Sequence, residues 1–497
     1  MKKFILSVAV ILGLSSWECF AEAKSVNYEQ FGAVGDGRHN DMPAIVAAHD
    51  YANSRKLPVR VADGKSYYIG RIDRTAIIRT DTDFGTARFL IDDRDVHDQR
   101  GRQIFEVAPS AAARPLTNVP PLKRGAANLG IKLPEPGLVC IQDRNVRRYI
   151  RGEANRNNGT PQRDILLVDR EGNIAPAAPP VWDYETVTDA TVMPIDTETL
   201  TVQGGIFTTI ANAAPSKYTY YRRGIGISRS HVVIRNLKHF VEGEGETGAP
   251  YYGFLSIAGC AEVLVEDVLF TAHKVYYTKG SSGDRVPMGS YDMLATDAVN
   301  VTFRRCRQSN SIHDRHYWGI FGSNYCKNLT FDSCILSRFD AHQGVANATI
   351  RNCELGHSGI SIIGFGTLLV ENTSVTNRNF IFLRSDYGSS WQGKIILRNC
   401  TLKNGATLIG GYNSGMQDFG YPCYLPEEVV IDNVTAADNA VIFGNFNWKN
   451  TSPAWKEKFP YHMPKKVTVR NSGTVSGAPL RLSSNPYMFR NVEVDRQ

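Results

Sequence analysis

Past its first two dozen residues the chain has no apolar run long enough to cross a bilayer, so the sequence offers no candidate spanning helix. It has no Lys- or Arg-rich run and no recognition-helix pattern, which removes nucleic acid as an expected partner. Neither sign of charge dominates: 56 Lys and Arg stand against 49 Asp and Glu, a net charge of +7. That modest basic balance suits an anionic partner and also suits plain solubility. Cysteine is scarce, nine in 497 residues. Four of the nine, Cys306, Cys334, Cys353 and Cys400, recur at one position of a repeat, which marks them as buried apolar thiols rather than a disulfide framework. Cys140, Cys260, Cys326 and Cys423 are left undetermined.

What the chain does have is a short recurring phrase. An apolar, charge-tipped strand appears as Val301-Thr302-Phe303-Arg304-Arg305-Cys306, Leu329-Thr330-Phe331-Asp332-Ser333-Cys334 and Ala348-Thr349-Ile350-Arg351-Asn352-Cys353. It returns at Leu368–Thr373 and Ile396–Cys400, and more faintly at Val233–Asn236, Leu264–Asp267, Val430–Asn433 and Val467–Asn471. Apolar and polar side chains alternate, as in a strand with one buried face, and a polar residue, usually Asn, closes each phrase. The closing positions 236, 267, 305, 333, 352, 372, 399, 433 and 471 are separated by 31, 38, 28, 19, 20, 27, 34 and 38 residues. A minimum near 20 with variable additions is the spacing of a solenoid whose turns are fixed while its outer loops vary. With no helical period between the strands, the options are a right-handed parallel β-helix or separate sandwich domains, and the β-helix is the expectation. Stacked coils would set Asn352, Asn372 and Asn399 above one another, their amides bonded along the axis.

Read in order, the chain opens with Met1-Lys2-Lys3, an apolar run from Phe4 to Leu14, and Ala21-Glu22-Ala23, the form of a secretory signal peptide over residues 1–23. Cys19 follows Trp17-Glu18 and lacks a lipoprotein context. A soluble exported protein, periplasmic or extracellular, is therefore expected, with residues 24–497 as a single domain. Tyr28-Glu29-Gln30-Phe31-Gly32-Ala33-Val34-Gly35-Asp36-Gly37 leads to Asn40-Asp41, one of which should cap a helix carrying Ile45, Ala48 and Tyr51 on one face. Such a helix would cover the open end of the solenoid. This opening, with the helix and the Tyr67-Tyr68-Ile69 strand after it, resembles that of pectate-lyase-like β-helix proteins, a group of polysaccharide lyases, polygalacturonase-type hydrolases and phage tailspikes. The resemblance implies the fold, and the repeats extend it over most of the chain. It leaves the chemistry open, because one fold hosts many reactions. Residues from about 104 to 196 break the repeat with Pro-rich pieces and read as an irregular insertion packing against the helix. The coils restart at Thr199. Long excursions, Glu242–Tyr252, His273–Tyr291, Ser309–Trp318, Asp386–Gln392, Gly415–Pro426 and Trp448–Pro464, should wall a groove along the middle coils.

The densest polar cluster lies there. Ser311-Ile312-His313-Asp314-Arg315-His316-Tyr317-Trp318 is followed one coil later by Arg338-Phe339-Asp340-Ala341-His342, then by His357, then by Arg384-Ser385-Asp386-Tyr387. Asp340 and His342, two apart on a strand, share a face. With His316 and Arg384 they form the expected catalytic group. Lys274, Tyr277, Arg285, Tyr291, Asp292, His313, Arg315, Trp318, His357, Asp386, Tyr387, Trp391 and Asn413 are the expected substrate contacts. The aromatics suit sugar faces and the cations a carboxylate or sulfate. Arg315 and Arg338 taken singly read as solvated.

A β-eliminating lyase needs a neutraliser for a uronate carboxylate, a base for the C5 proton and an acid for the leaving oxygen. Arg384, His342 or His316, and a Tyr or the other His fill those roles. A hydrolase needs paired carboxylates, for which Asp340 with Asp292 or Asp314 would serve. The polygalacturonase-type pattern of paired aspartates is missing, and Gly356-His357-Ser358-Gly359 is only a partial echo of its Gly-His-Gly. The acidic tripods that hold calcium in several β-helix lyases are not evident, so no cofactor is expected and calcium is unsupported. The leading expectation is a lyase acting on a uronic-acid-containing, acidic polysaccharide. A β-helix glycoside hydrolase and a non-catalytic carbohydrate-binding β-helix follow it. Oligomeric state is not legible.

Overall fold

The structure, a computed structural model, describes residues 25–152, 155–412, 417–444, 446, 461–485 and 487–497. The leader read over residues 1–23, and Asn413, lie outside them.

Each repeat phrase is one side of a three-sided coil, and the coils stack so that their strands pair in parallel through a 32-stranded sheet. On the side carrying the phrases, Val263, Val301, Leu329, Ala348, Leu368 and Ile395 stand opposite one another in successive coils. All six are buried. Alternation thus turns every second side chain into a continuous apolar column, and each coil buries its face on the next.

The closing residues are polar for a backbone reason. All nine, from Asn236 to Asn471, adopt the left-handed conformation, with φ between 45° and 59°. An ordinary L-residue pays about 1–2 kcal/mol there, and Asn pays least after Gly. Stacking then satisfies the amides: Nδ2 of Asn372 donates to Oδ1 of Asn352 (3.1 Å), Asn399 to Asn372 (3.1 Å) and Asn433 to Asn399 (2.9 Å). A second left-handed column, Glu262, Asn300, Asn328 and Asn347, runs at the other end of the same strands, with φ of 56° to 61°. Within it Asn328 donates to Asn300 and Asn347 to Asn328. Cys306, Cys334, Cys353 and Cys400 line up inside the solenoid as buried thiols, and Cys140, Cys260 and Cys326 are also unbridged.

One α-helix is found among the described residues, α1 (Met42–Arg55), and it lies over the first coil against Ala76–Ile78. Its buried stripe is Ile45, Ala48, His49 and Ala52, whereas Tyr51 is 43% exposed and rests on Phe31, off the expected face. Asp41 occupies the N-cap position without capping. Its carboxylate instead accepts the amides of Val34 (2.7 Å) and Gly35 (3.2 Å), so it ties the glycine-rich turn to the helix start.

The irregular stretch departs from the reading in both start and seat. Phe105–Val107 still pairs with Ala76–Ile78 and Ile225–Ile227 as a coil strand. Beyond it Arg114–Pro115, Gly137–Arg148, Thr160–Val168 and Asp189–Pro194 form a separate four-stranded antiparallel sheet with its own core. This sheet packs on the phrase-bearing side of the solenoid rather than on α1: Leu138, Ile165 and Ala178 meet Ala261 and Val299. Lys327 reaches out of the solenoid to Asp164 at 2.6 Å, both side chains buried, and also donates to the Pro179 carbonyl at 2.6 Å.

Candidate functional site

Another side of the coil carries the site. There Phe321 pairs with Met293, Phe339 with Ile360, and Ile360 with Ile381, all facing the core. One position on, Asp340 points to the outer side of the sheet. It is nevertheless fully buried. Arg338 Nη2 lies 2.7 Å from its Oδ2, Arg384 Nη1 lies 2.6 Å from its Oδ1, and the Tyr291 hydroxyl lies 3.4 Å away. Arg384 holds a second carboxylate, Asp386, with Nη2 at 2.8 Å and Nε at 3.1 Å, and Arg151 of the inserted segment reaches the same Asp386 at 3.0 Å. The chain of charge therefore runs Arg338, Asp340, Arg384, Asp386, Arg151.

Burial works against both carboxylates, but the arginines outweigh it. Asp340 is lowered, chiefly by Arg338 and Arg384, and Asp386 is lowered to about 2 by Arg384 and Arg151. His342 sits two residues from Asp340 with Nδ1 3.2 Å from Asn324 Oδ1 and Nε2 3.2 Å from the Tyr387 hydroxyl. Asn324 Oδ1 can only accept, so Nδ1 carries the proton and Nε2 accepts from Tyr387. Burial, then the charge of Arg384, pushes His342 down to about 3. It is a neutral imidazole with its lone pair at Nε2. Burial and the Asp340 charge raise Tyr291 to about 12, so it stays a phenol.

Of these groups Arg151, Tyr291, Asn324, His342 and Arg384 face a cleft of about 520 Å³, with Asp340, Asp386 and Tyr387 packed behind them. Its walls include Arg151, Arg156 and Asn157 from the inserted segment, Tyr220 and Tyr252 from preceding coils, Tyr291 and Trp318, and Lys279 from a hairpin. Arg338 lies over the Trp318 ring at 4.6 Å, so it is no solvated surface residue.

Asp340, His342, Arg384, Tyr291, Trp318, Asp386 and Tyr387 thus come together, but the rest of the expected set does not. His316 is 89% exposed on its excursion, bound to Asp314 at 2.7 Å, and does not line the cleft. His313 and Arg315 are exposed on the same excursion. His357 packs beneath it, its amide donating to the Ile312 carbonyl. Lys274 is spent on the carbonyls of Glu244 and Gly245. Tyr277 and Arg285 stack on each other at 3.8 Å on an exposed hairpin. Trp391 is fully buried, its indole N–H on the Gly366 carbonyl.

Asp292 is inside as well. It lies 2.6 Å from His239 and 3.7 Å from His273, and accepts the Thr271 amide, so neither it nor the exposed Asp314 pairs with Asp340. Residues missed in the sequence are Arg151, Arg156, Asn157, Tyr220, Tyr252, Lys279 and Asn324. Tyr252 could have been found by coil register, since it stands opposite Tyr291. Nothing local marks Arg151.

No family model matches the chain, and no curated protein matches it in sequence. Solved structures do. The tailspike protein gp49 from Pseudomonas phage LKA1 superposes with a TM-score of 0.55 at 12% identity, over 94% of this chain and 84% of that one. The Pseudomonas phage phi297 tailspike gp61 gives 0.51 at 13%, over 90% and 80%. The Gp54 tailspike of Acinetobacter baumannii bacteriophage AP22, solved with a capsular saccharide, gives 0.47 at 10%, over 95% and 79%. A Streptococcus pneumoniae surface adhesin, an exopolygalacturonase from Thermotoga maritima and an endo-xylogalacturonan hydrolase from Aspergillus tubingensis follow at lower scores. At these identities the likeness carries the fold and no more: the chain is a right-handed parallel β-helix protein.

Proposed function

We propose that the protein is a polysaccharide lyase that cleaves a uronic-acid-containing glycan by β-elimination. The observation that carries this reading is the protonation pattern of the cleft. The two carboxylates packed behind it, Asp340 and Asp386, are held as anions by arginines, so neither is a protonated acid of the kind hydrolysis requires. A neutral imidazole and an intact phenol stand beside them instead. Along the charge chain three guanidinium groups face two carboxylates, and Lys279 and Arg156 add further positive charge to the walls. The surplus suits an acidic sugar.

In this scheme Arg384 and Arg151 neutralise the uronate carboxylate, which acidifies the C5 proton. His342 Nε2, released from the Tyr387 hydroxyl as substrate enters, takes that proton. The C–H pair becomes the C4–C5 double bond, the C4–O bond breaks, and the departing oxygen takes the Tyr291 hydroxyl proton. Solvent then restores both groups. An imidazole pushed down to about 3 is a weak base in an empty cleft. An arriving carboxylate offsets the Arg384 charge and raises its basicity when substrate is bound. Incubation with pectic, alginate and glycosaminoglycan polymers, following the absorbance of unsaturated uronate, tests the reading. New reducing ends without that absorbance would make the protein a hydrolase, and neither signal would leave a binding β-helix.

A further inference from the structure

The seam between the inserted sheet and the solenoid encloses a second cavity, of about 190 Å³, behind the cleft. Its rings come from both bodies. Trp182 of the insertion stands edge-on to Phe365 of the solenoid at 4.8 Å and is tilted on Tyr421 at 5.6 Å. Two guanidinium groups close over these rings: Arg148 lies 4.7 Å from Trp182, and Arg124, bonded to Gln392, lies 5.6 Å from Phe365. One carboxylate, Asp183, also lines the cavity and accepts the Arg124 amide.

We infer that this seam pocket is a distal subsite that holds one acidic sugar residue of the polymer occupying the cleft. The inference rests on the reading of the cleft as the seat of an acidic glycan. Three features carry it. Ring faces accept the C–H face of a pyranose, and a guanidinium beside them accepts a carboxylate, a combination that discriminates acidic from neutral sugars. The charge inside is positive, two arginines against one aspartate. Two rings link the pocket to the cleft: Tyr149 packs on Trp182 at 6.3 Å and on Tyr387 at 5.7 Å, and Tyr387 bonds His342.

The test measures binding of oligouronates of about two to eight residues, prepared from pectic, alginate and glycosaminoglycan polymers, to the wild type, Arg124→Ala, Trp182→Ala and His342→Gln. Both pocket variants should lose roughly ten-fold in affinity for the longer oligomers and nothing for disaccharides. Arg124 is exposed, so its variant keeps the test readable if Trp182→Ala fails to fold. Equal affinity of the wild type and Arg124→Ala at every length would overturn the subsite, as would failure of the wild type to bind any oligouronate. His342→Gln should slow turnover roughly 10²–10⁴-fold while keeping the dependence of binding on length. If the wild type binds but never cuts, the lyase reading fails while the Arg124→Ala comparison still reports on the pocket.

Discussion

His342 is half-buried among charges yet uncharged, and that state is what the proposed chemistry uses. Its Nδ1–H is fixed on Asn324 and its Nε2 faces Tyr387, so the tautomer is set by its neighbours rather than by pH. Replacing it by Gln keeps a polar side chain of similar length without a basic nitrogen. His342→Gln is expected to lower the rate of unsaturated product formation by roughly 10²–10⁴-fold, the range for loss of a general base, with the melting temperature little changed. A rate within about three-fold of wild type would remove His342 from the chemistry. Asp340 acts on a different footing. Fully buried between Arg338 and Arg384, it organises the two guanidinium groups and has no proton to give near neutral pH.

At the scale of the element, the Asn columns show how a residue type records a backbone requirement. Asn372 has φ of 48° and links Asn352 to Asn399. Asn372→Gly should keep the backbone and lose only the amide bonds, whereas Asn372→Ala should lose both and cost about 1–2 kcal/mol more in urea denaturation. Equal cost for the two variants would mean the ladder, not the left-handed turn, is what Asn serves.

The same logic explains what was legible. Strand alternation and the closing Asn repeat inside every coil, so the phrases could be aligned and Asp340, His342 and Arg384 assigned to one side. The histidines of the Ser309–Trp318 excursion were misplaced because a loop does not inherit coil register: His316 follows its turn into solvent. Asp292 misled for the opposite reason. Its neighbour Tyr291 faces the cleft, but the Asp292 carboxylate turns inward to His239 and the Thr271 amide and is fully buried. Arg151 was invisible, since the docking of the inserted sheet depends on contacts far apart in sequence, Lys327 with Asp164 above all.

At the scale of the whole molecule, that buried pair decides how the insertion is seated, and so where Arg151 and Trp182 stand. Removing one partner leaves the other charge buried and alone, which costs about 3–5 kcal/mol, while replacing both by apolar residues is often neutral. Lys327→Met should therefore lower the thermal transition and expose the insertion to proteolysis, and adding Asp164→Leu should restore much of the loss. A single variant as stable as wild type would show that the apolar contacts alone seat the sheet.

The pH range of the fold follows from its buried histidines. His273 stacks on Tyr251 at 4.4 Å with Glu244 at 3.1 Å and Asp292 at 3.7 Å. Burial alone would favour the neutral ring, but the two carboxylates outweigh it and raise His273 to about 9. A raised folded value gives stability that is complete below about pH 6.5, the unfolded value, and is lost as pH rises through about 9. His49 and His342, both lowered to about 3 by burial, have the opposite sign. Their stabilisation is complete above about pH 6.5 and is lost as pH falls from there toward 3, at up to about 1.4 kcal/mol per pH unit for each group. Melting temperature should therefore fall on both sides of neutrality, and His273→Gln should flatten the alkaline limb between about pH 6.5 and 9 while leaving the acid limb in place. An alkaline limb unchanged in that variant would mean that His273 is neutral in the folded protein.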